Sequence, residues 1–243
     1  MSVIGLNLFV APNFIQISDC HIDDNPQSMG VDTHQNLARI INEITPIKSD
    51  ALLISGDLTH NGTPDSYAKL KELLTPVQSD IFVIKGNHDS DNLMTLFSEC
   101  LFKKISLGKW DIISIDSVQA NKTSGYLSKN ALSALDAQLN QSTADFVIVM
   151  LHHPIVPMNS TWDDSLSLEN PQDLLAVLDK HAKIRAVLFG HAHESAEFNR
   201  QDLKIIACPS TAVQFTDEKR IGFNDYTLND DGRLECETRW ITQ

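Results

Sequence analysis

The 243-residue sequence predicts an α/β layered protein built on one large sheet or a pair of sheets. Three observations carry that prediction. Short apolar runs alternate with helical periods through most of the chain. The last quarter turns to strands alone, closed by a hairpin signal. Hydrophobic residues make up 42% of the sequence, which suits one domain over 1–243 with a sizeable core.

Taken in order, the first strand is expected at 14–18. A helix follows, because Leu37, Ile40, Ile41 and Ile44 fall at i, i+3, i+4 and i+7. The second strand is 51–55. Thr63 followed by Pro64 opens a second helix, with Tyr67, Leu70 and Leu74 on one face. Strands are expected at 81–85 and 110–116. Ser128 caps a third helix carrying Leu132, Leu135 and Leu139. A strand at 146–151 leads into 155–170, a long stretch without pattern, which is either a cover over a functional site or floppy. Asn170 and Pro171 open a helix through Leu174, Leu175 and Leu178. Strands then follow at 186–189, 204–207, 211–215, 222–228 and 233–241, with "NDDG" at 229–232 as the turn between the last two.

Composition excludes some classes. The formal net charge is −13, a poor basis for gripping a nucleic-acid polymer by its phosphates. If the protein handles a phosphate, something other than bulk charge must attract it, and bound cations would do so. No apolar run approaches the length of a membrane span. The apolar stretch at 3–11 lacks a basic flank, since Lys and Arg are absent before Arg39, so it reads as mature protein rather than as a signal. Cys20, Cys100, Cys208 and Cys236 show no CxxC spacing and read as reduced thiols of a cytoplasmic protein.

The chemistry gathers at strand ends. Strand 14–18 is followed by Asp19 and His21, and strand 51–55 by Gly56 and Asp57. Strand 81–85 is followed by "GNHD", with Asn87, His88 and Asp89. Strand 146–151 is followed by His152 and His153, and strand 186–189 by "GHAH", with His191 and His193. Six of the nine histidines stand in these motifs. In α/β sheets the carboxyl ends of parallel strands share one edge, where ligands collect. His34, His60 and His181 have no such setting and read as ordinary satisfied histidines. His153 should point away from His152.

Two Asp, four His and one Asn are enough to hold two metal ions if one carboxylate is shared. Imidazole and carboxylate donors suit Mn, Fe or Zn, and no thiolate is placed to select copper. Two ions roughly 3.5–4 Å apart would clamp a phosphoryl group and provide hydroxide near neutral pH. Such a pair would also make the local field positive in an acidic chain.

In this order the motifs D-x-H, G-D, G-N-H-D, H-x-P and G-H-x-H resemble the calcineurin-like metallophosphoesterases, over 19–193. The likeness is nearer to the class III cyclic nucleotide phosphodiesterases. It rests on "MGVDTHQNL", "GDLTHNGTPDSYAKLKELL", "WDIISIDS", "MLHHPIVP", the Trp162 and "LEN" of the patternless stretch, "PSTAVQF" and the closing "DGRLE". The resemblance implies a four-layer αββα sandwich with a dinuclear metal site at the strand ends. It implies that Asp19, His21, Asp57 and His193 hold one ion, that Asp57 bridges, and that Asn87, His152 and His191 complete the second. It implies a catalytic set of His88, Asp57 and Asp89, with His88 touching the phosphate and Asp89 braced behind the ligands. Cys20 departs from the small residue usual inside the first motif and should point off the site.

The function so implied is hydrolysis of 3′,5′-cyclic nucleotides, cyclic AMP to AMP foremost, by an enzyme that uses a small nucleotide substrate and is often a homodimer. A broader phosphoesterase acting on 2′,3′-cyclic nucleotides, other diesters or monoesters would share the same metal core. A non-catalytic scaffold would have lost ligand positions, and all seven are present. Walls for a base are expected from 155–170, with Trp162 stacking on it, and from Asn61 and Tyr126.

Overall fold

The computed structural model describes residues 11–158, 160–216 and 219–242. The apolar stretch at 3–11 lies outside them apart from Ala11. Eleven strands and six helices are found among the described residues. The first half of the chain runs β1 (Asn13–Ile17), α1 (Thr33–Ile44), β2 (Ala51–Ile54), α2 (Pro64–Leu74), β3 (Asp80–Val83), α3 (Asn92–Leu96), β4 (Lys104–Leu107) and β5 (Trp110–Ser114). The second half runs α4 (Lys129–Gln141), β6 (Phe146–Met150), α5 (Thr161–Leu166), α6 (Pro171–Leu178), β7 (Ile184–Phe189), β8 (Ala196–Arg200), β9 (Leu203–Ala207), β10 (Arg220–Leu228) and β11 (Leu234–Thr242).

The strands form two mixed sheets, ordered β11-β10-β1-β2-β3 and β4-β5-β6-β7-β9-β8. In the first, β1, β2 and β3 are parallel and β10 and β11 close one edge antiparallel. In the second, β5, β6, β7 and β9 are parallel, with β4 and β8 as antiparallel edges. Side chains alternate between the two faces of a strand, so each buried strand supplies two cores. Ile15, Ile17, Leu52 and Ile54 pack on α1 and α2 through Leu37, Ile40, Tyr67 and Leu70. Val147, Val149 and Val187 pack on α4 and α6 through Leu135, Leu139 and Leu174. Phe14, Leu53, Ile148, Met150 and Leu188 meet between the sheets. Three apolar layers therefore separate four layers of secondary structure, and the chain has the αββα sandwich that the motifs imply.

Helix starts follow local chemistry. Asp32, Thr63 and Ser128 each accept a bond from a backbone N–H in the first turn of α1, α2 and α4. Asn170 does not cap α6. Its amide instead clasps Leu127, accepting from the Leu127 N–H at 3.0 Å and donating to the Leu127 carbonyl at 2.9 Å. The turn at 229–232 closes as expected, with Gly232 at φ 88°.

The structure corrects several expectations. Residues 211–215 are not a strand. Ser210 Oγ accepts from the N–H of Ala212 and Val213 at 2.9 and 3.2 Å, which bends the chain before β10 begins. The edge strands β4 and β8 carry no apolar run, and pairing with β5 and β9 alone makes them strands. The described residues of 155–170 are anchored rather than floppy. Ile155, Met158 and Leu168 are buried, and α5 forms inside it. Among the described residues no helix is long and apolar enough to cross a membrane.

Candidate metal centre

Because β1, β2, β3, β6 and β7 run parallel within their sheets, their carboxyl ends deliver Asp19, His21, Asp57, Asn87, His152, His191 and His193 to one edge. The backbone turns sharply there. Seven described non-glycine residues have positive φ, and five of them are Asp19, His21, Asp57, His191 and His193, at 45° to 67°. Each such residue costs of order 1 kcal/mol and persists only where its surroundings over-determine it. Cross-bonds between the loops do so: the N–H of Asp19 and of His21 donate to the carbonyls of Gly56 and Asp57, each at 3.1 Å. Gly56 turns the chain at φ 100°, a conformation that suits glycine. Gly86 is needed for closeness instead, because a Cβ there would strike the Asp57 amide and carboxylate.

The side chains form two groups. In one, His21 Nε2 and His193 Nε2 face each other at 2.9 Å, with Asp19 Oδ1 3.5 Å from His193 Nε2 and 4.0 Å from His21 Nε2. In the other, Asn87 Oδ1, His152 Nε2 and His191 Nδ1 lie 3.0–3.3 Å apart. Asp57 stands between the groups. Its Oδ2 is 3.7 Å from His21 Nε2 and its Oδ1 is 3.4 Å from His152 Nε2. All of these except Asn87 and His191 are buried.

Hydrogen bonds behind the rings fix what faces inward. His193 Nδ1–H donates to the Val213 carbonyl at 2.7 Å, and His152 Nδ1–H donates to the Ser55 carbonyl at 2.8 Å. A carbonyl can only accept, so in each neutral ring Nε2 presents a lone pair to the cluster. Those lone pairs face the oxygens of Asp19, Asp57 and Asn87, so acceptor meets acceptor wherever no proton or cation stands between them. Asp19 Oδ1 is buried with no hydrogen-bond partner among the described residues. The arrangement calls for positive charge. Burial opposes a proton on His152, yet the Asp57 carboxylate holds its pKa up at about 9. Burial wins at His21 and His191, which fall to about 3 and about 4 and offer neutral donors. A buried set of imidazole nitrogens and carboxylate oxygens within 4.8 Å of one another could hold metal ions, which would supply the positive charge that the Asp57 carboxylate otherwise draws as a proton onto His152.

His88 is fixed from behind as well. Its Nδ1–H donates to the His60 carbonyl at 2.9 Å and its backbone N–H donates to Asp57 Oδ1 at 2.8 Å, so Nε2 is the ring nitrogen not committed by these bonds. Asp89 is spent on structure: it accepts from the N–H of Leu58, Thr59 and Gly86 and from the Tyr67 hydroxyl, at 2.9–3.2 Å. Burial, and then the nearby Asp57, push its pKa up to about 6.

Three sequence readings change. His60 is not an ordinary histidine, for its Nδ1 lies 3.4 Å from His21 Nδ1 and its ring stacks on His88 at 4.9 Å. Only the position three residues past Asp57 could have signalled this. His153 does not point away from His152; their ring centroids are 5.0 Å apart. Its two nitrogens are taken by Ser117 Oγ at 2.8 Å and the Thr123 carbonyl at 3.0 Å, so it braces the loop. Asn61 and Tyr126 do not line the cavity over the centre. Asn61 donates to Asp23 at 2.6 Å, and the walls are Met29, Thr123, Trp162, Leu166 and Phe215. Other readings match the geometry: His34 bonds the Asp23 carbonyl at 2.8 Å and His181 bonds Asp136 at 2.7 Å. Cys20 is fully buried in the α1–α2 core, and burial pushes its thiol up to about 12, so it is inert at neutral pH.

The cavity over the cluster holds about 110 Å³. A roomier one of about 390 Å³, walled by Ile84, Phe102 and Leu135 among others, has no such cluster of donors.

Known proteins resemble the chain in sequence and in fold. A Chinese-box similarity runs from sequence family to relative to fold. The family model described as calcineurin-like phosphoesterase matches residues 12–195. A probable cyclic nucleotide phosphodiesterase of Ruthia magnifica subsp. Calyptogena magnifica is 62% identical over 94% of this chain and 98% of its own. A 3′,5′-cyclic adenosine monophosphate phosphodiesterase of Pseudomonas aeruginosa is 31% identical over 91% of this chain and 87% of its own. The fold matches a dimetal phosphatase from Danio rerio with a TM-score of 0.74 at 15% identity, covering 96% of this chain and 99% of that one. By motif order, strand-end geometry and these likenesses, the chain belongs to the calcineurin-like phosphoesterase family and is a hydrolase.

Proposed function

We propose that the protein is a dinuclear-metal phosphodiesterase that hydrolyses 3′,5′-cyclic nucleotides, cyclic AMP to AMP foremost. The observation that carries this reading is Asp57, whose two oxygens face the two separate donor groups. Asp19, His21, Asp57 and His193 would hold one ion, and Asp57, Asn87, His152 and His191 the other. Manganese or iron, or else zinc, suits these donors. Bound there, the ions would neutralise charge on the phosphoryl oxygens and make hydroxide available near neutral pH.

The chain's own groups do the rest. His88 Nδ1–H is committed to the His60 carbonyl, so its Nε2 is the atom that meets the phosphate. Protonated there, it donates to a phosphoryl oxygen or to the departing sugar oxygen. Asp89 ties the loop after β2 to the loop after β3 and so sets Asp57 against Asn87. Substrate class is supported by the named relatives, two of which are a probable cyclic nucleotide phosphodiesterase and a cyclic AMP phosphodiesterase. A net charge of −13 favours a small nucleotide over a polymer. The same reading takes 1–243 as one domain, at work in the cytoplasm.

The test is a substrate panel on purified, manganese-loaded protein, with metal counted on the same sample. Two ions per chain and a highest kcat/KM on 3′,5′-cyclic AMP are expected. A preference for 2′,3′-cyclic AMP or for monoesters would overturn the substrate assignment, and absence of bound metal would overturn the centre.

A further inference from the structure

Trp162 in α5 is 57% exposed and Phe215, in the bend before β10, is 47% exposed. Large rings left in water at a cavity mouth ask for a reason, because neither belongs to any of the three apolar cores. Their arrangement supplies one. Phe215 lies flat on the His193 imidazole, with centroids 4.0 Å apart and planes 7° apart. Trp162 stands on edge to Phe215, at 5.3 Å and 87°. His193, Phe215 and Trp162 all line the cavity that also holds His88 and Asn87. The rings thus form a chain that starts at the donor cluster and ends in solvent.

We propose that Trp162 is the stacking platform for the base of a nucleotide whose phosphate lies over the His/Asp cluster, and that Phe215 is the positioning residue that holds it. The proposal rests on the phosphodiesterase reading above and deepens it. A 5.3 Å separation is a single ring contact, so no base fits between Trp162 and Phe215. One face of Phe215 is already covered by His193. The open surface is the indole of Trp162. A neighbouring cavity that also reaches Asn87 is lined by Asn121, Lys122, Thr123, Ser124, Ser165 and Leu166, and among the described residues none of its walls is a ring that a base could stack on. The aromatic side is therefore where a base gains most, and the link through Phe215 to His193 fixes the platform relative to the phosphate site.

The experiment separates base from phosphate. Manganese-loaded wild type, Trp162→Ala, Trp162→Phe and Phe215→Leu are titrated calorimetrically with AMP and with ribose 5-phosphate, which lacks the base. Trp162→Ala should lower the ratio of AMP to ribose 5-phosphate affinity by about tenfold, the loss of one stacked base. Trp162→Phe keeps a ring and should retain most of the ratio, and Phe215→Leu should lower it by less than Trp162→Ala. AMP should also quench indole emission in wild type and fail to do so in Trp162→Phe. An unchanged ratio in Trp162→Ala, or equal weakening of both ligands, overturns the platform. Turnover of cyclic AMP by wild type is scored separately. A protein that binds AMP through Trp162 without hydrolysing cyclic AMP keeps the platform and loses the proposed substrate; hydrolysis with no effect of Trp162→Ala does the reverse.

Discussion

The floor of the site and its rim are built on opposite principles. On the floor, Asp19, His21, Asp57, His152 and His193 are at most 2% exposed, and most stand on left-handed backbone locked by bonds between loops. On the rim, Trp162 and Phe215 are half in water and meet through one edge-to-face contact. The floor keeps left-handed backbone at several positions, as a site that must hold several donors at fixed distances would require. The rim needs only a face to stack on, and a short helix in a loop can provide that. On the proposed function, the difference divides two properties between the regions: the reaction would belong to the strand ends and the choice of substrate to the loops that cover them.

The largest effect should come from breaking the floor at its centre. Asp57→Ala removes the carboxylate that faces both donor groups. Metal content and activity should fall together, by more than the ~10–100-fold typical of residues that act from behind metal ligands. Full metal content with normal turnover in this variant would dismiss the shared-carboxylate arrangement. His88→Ala comes next. It should keep the metal and lose about two to three orders of magnitude in kcat on cyclic AMP. The loss should be smaller on a diester that releases p-nitrophenolate, which leaves without needing a proton. An equal loss on both would leave His88 a charge stabiliser only, and loss of metal would make it a ligand.

Chelation sharpens the contrast in stability. The floor sets carboxylates beside imidazole nitrogens and leaves Asp19 Oδ1 without a hydrogen-bond partner among the described residues, so removing metal should lower the melting temperature, by the equivalent of about 2.7 kcal/mol for one site previously at a hundred times its Kd. Trp162→Ala should leave melting almost unmoved, since its ring buries little. A metal-insensitive melting temperature would mean that the floor is held by its hydrogen bonds alone. The smallest effect is expected for the rim as a whole. Shortening 155–170 around α5 should raise KM for cyclic nucleotides by about tenfold, the worth of one stacked base, and by less for a small aryl diester. Equal effects on the two would mean that the loop serves the fold and not the substrate.

Read alone, the sequence determined the strand–helix order, the helix caps at Thr63 and Ser128, and the ligand-type residues after five strands. These are local: alternation, cap chemistry and strand ends are written in adjacent residues. It also carried the motif order that marks the family. Only the tertiary structure decided what those residues meet. Position 60 looks like any loop histidine until the loops after β1, β2 and β3 converge and set its ring on His88. Residues 211–215 alternate like a strand, yet Ser210 bends them and lays Phe215 on His193. The edge strands β4 and β8 exist because β5 and β9 offer free backbone groups, a partner that no local pattern announces. The cause is the same in each case. A residue's own sequence neighbours fix its backbone preference, whereas its contacts depend on strand order and on how the two sheets pack face to face, which brings His21 after β1 and His193 after β7 to 2.9 Å across 172 positions of chain.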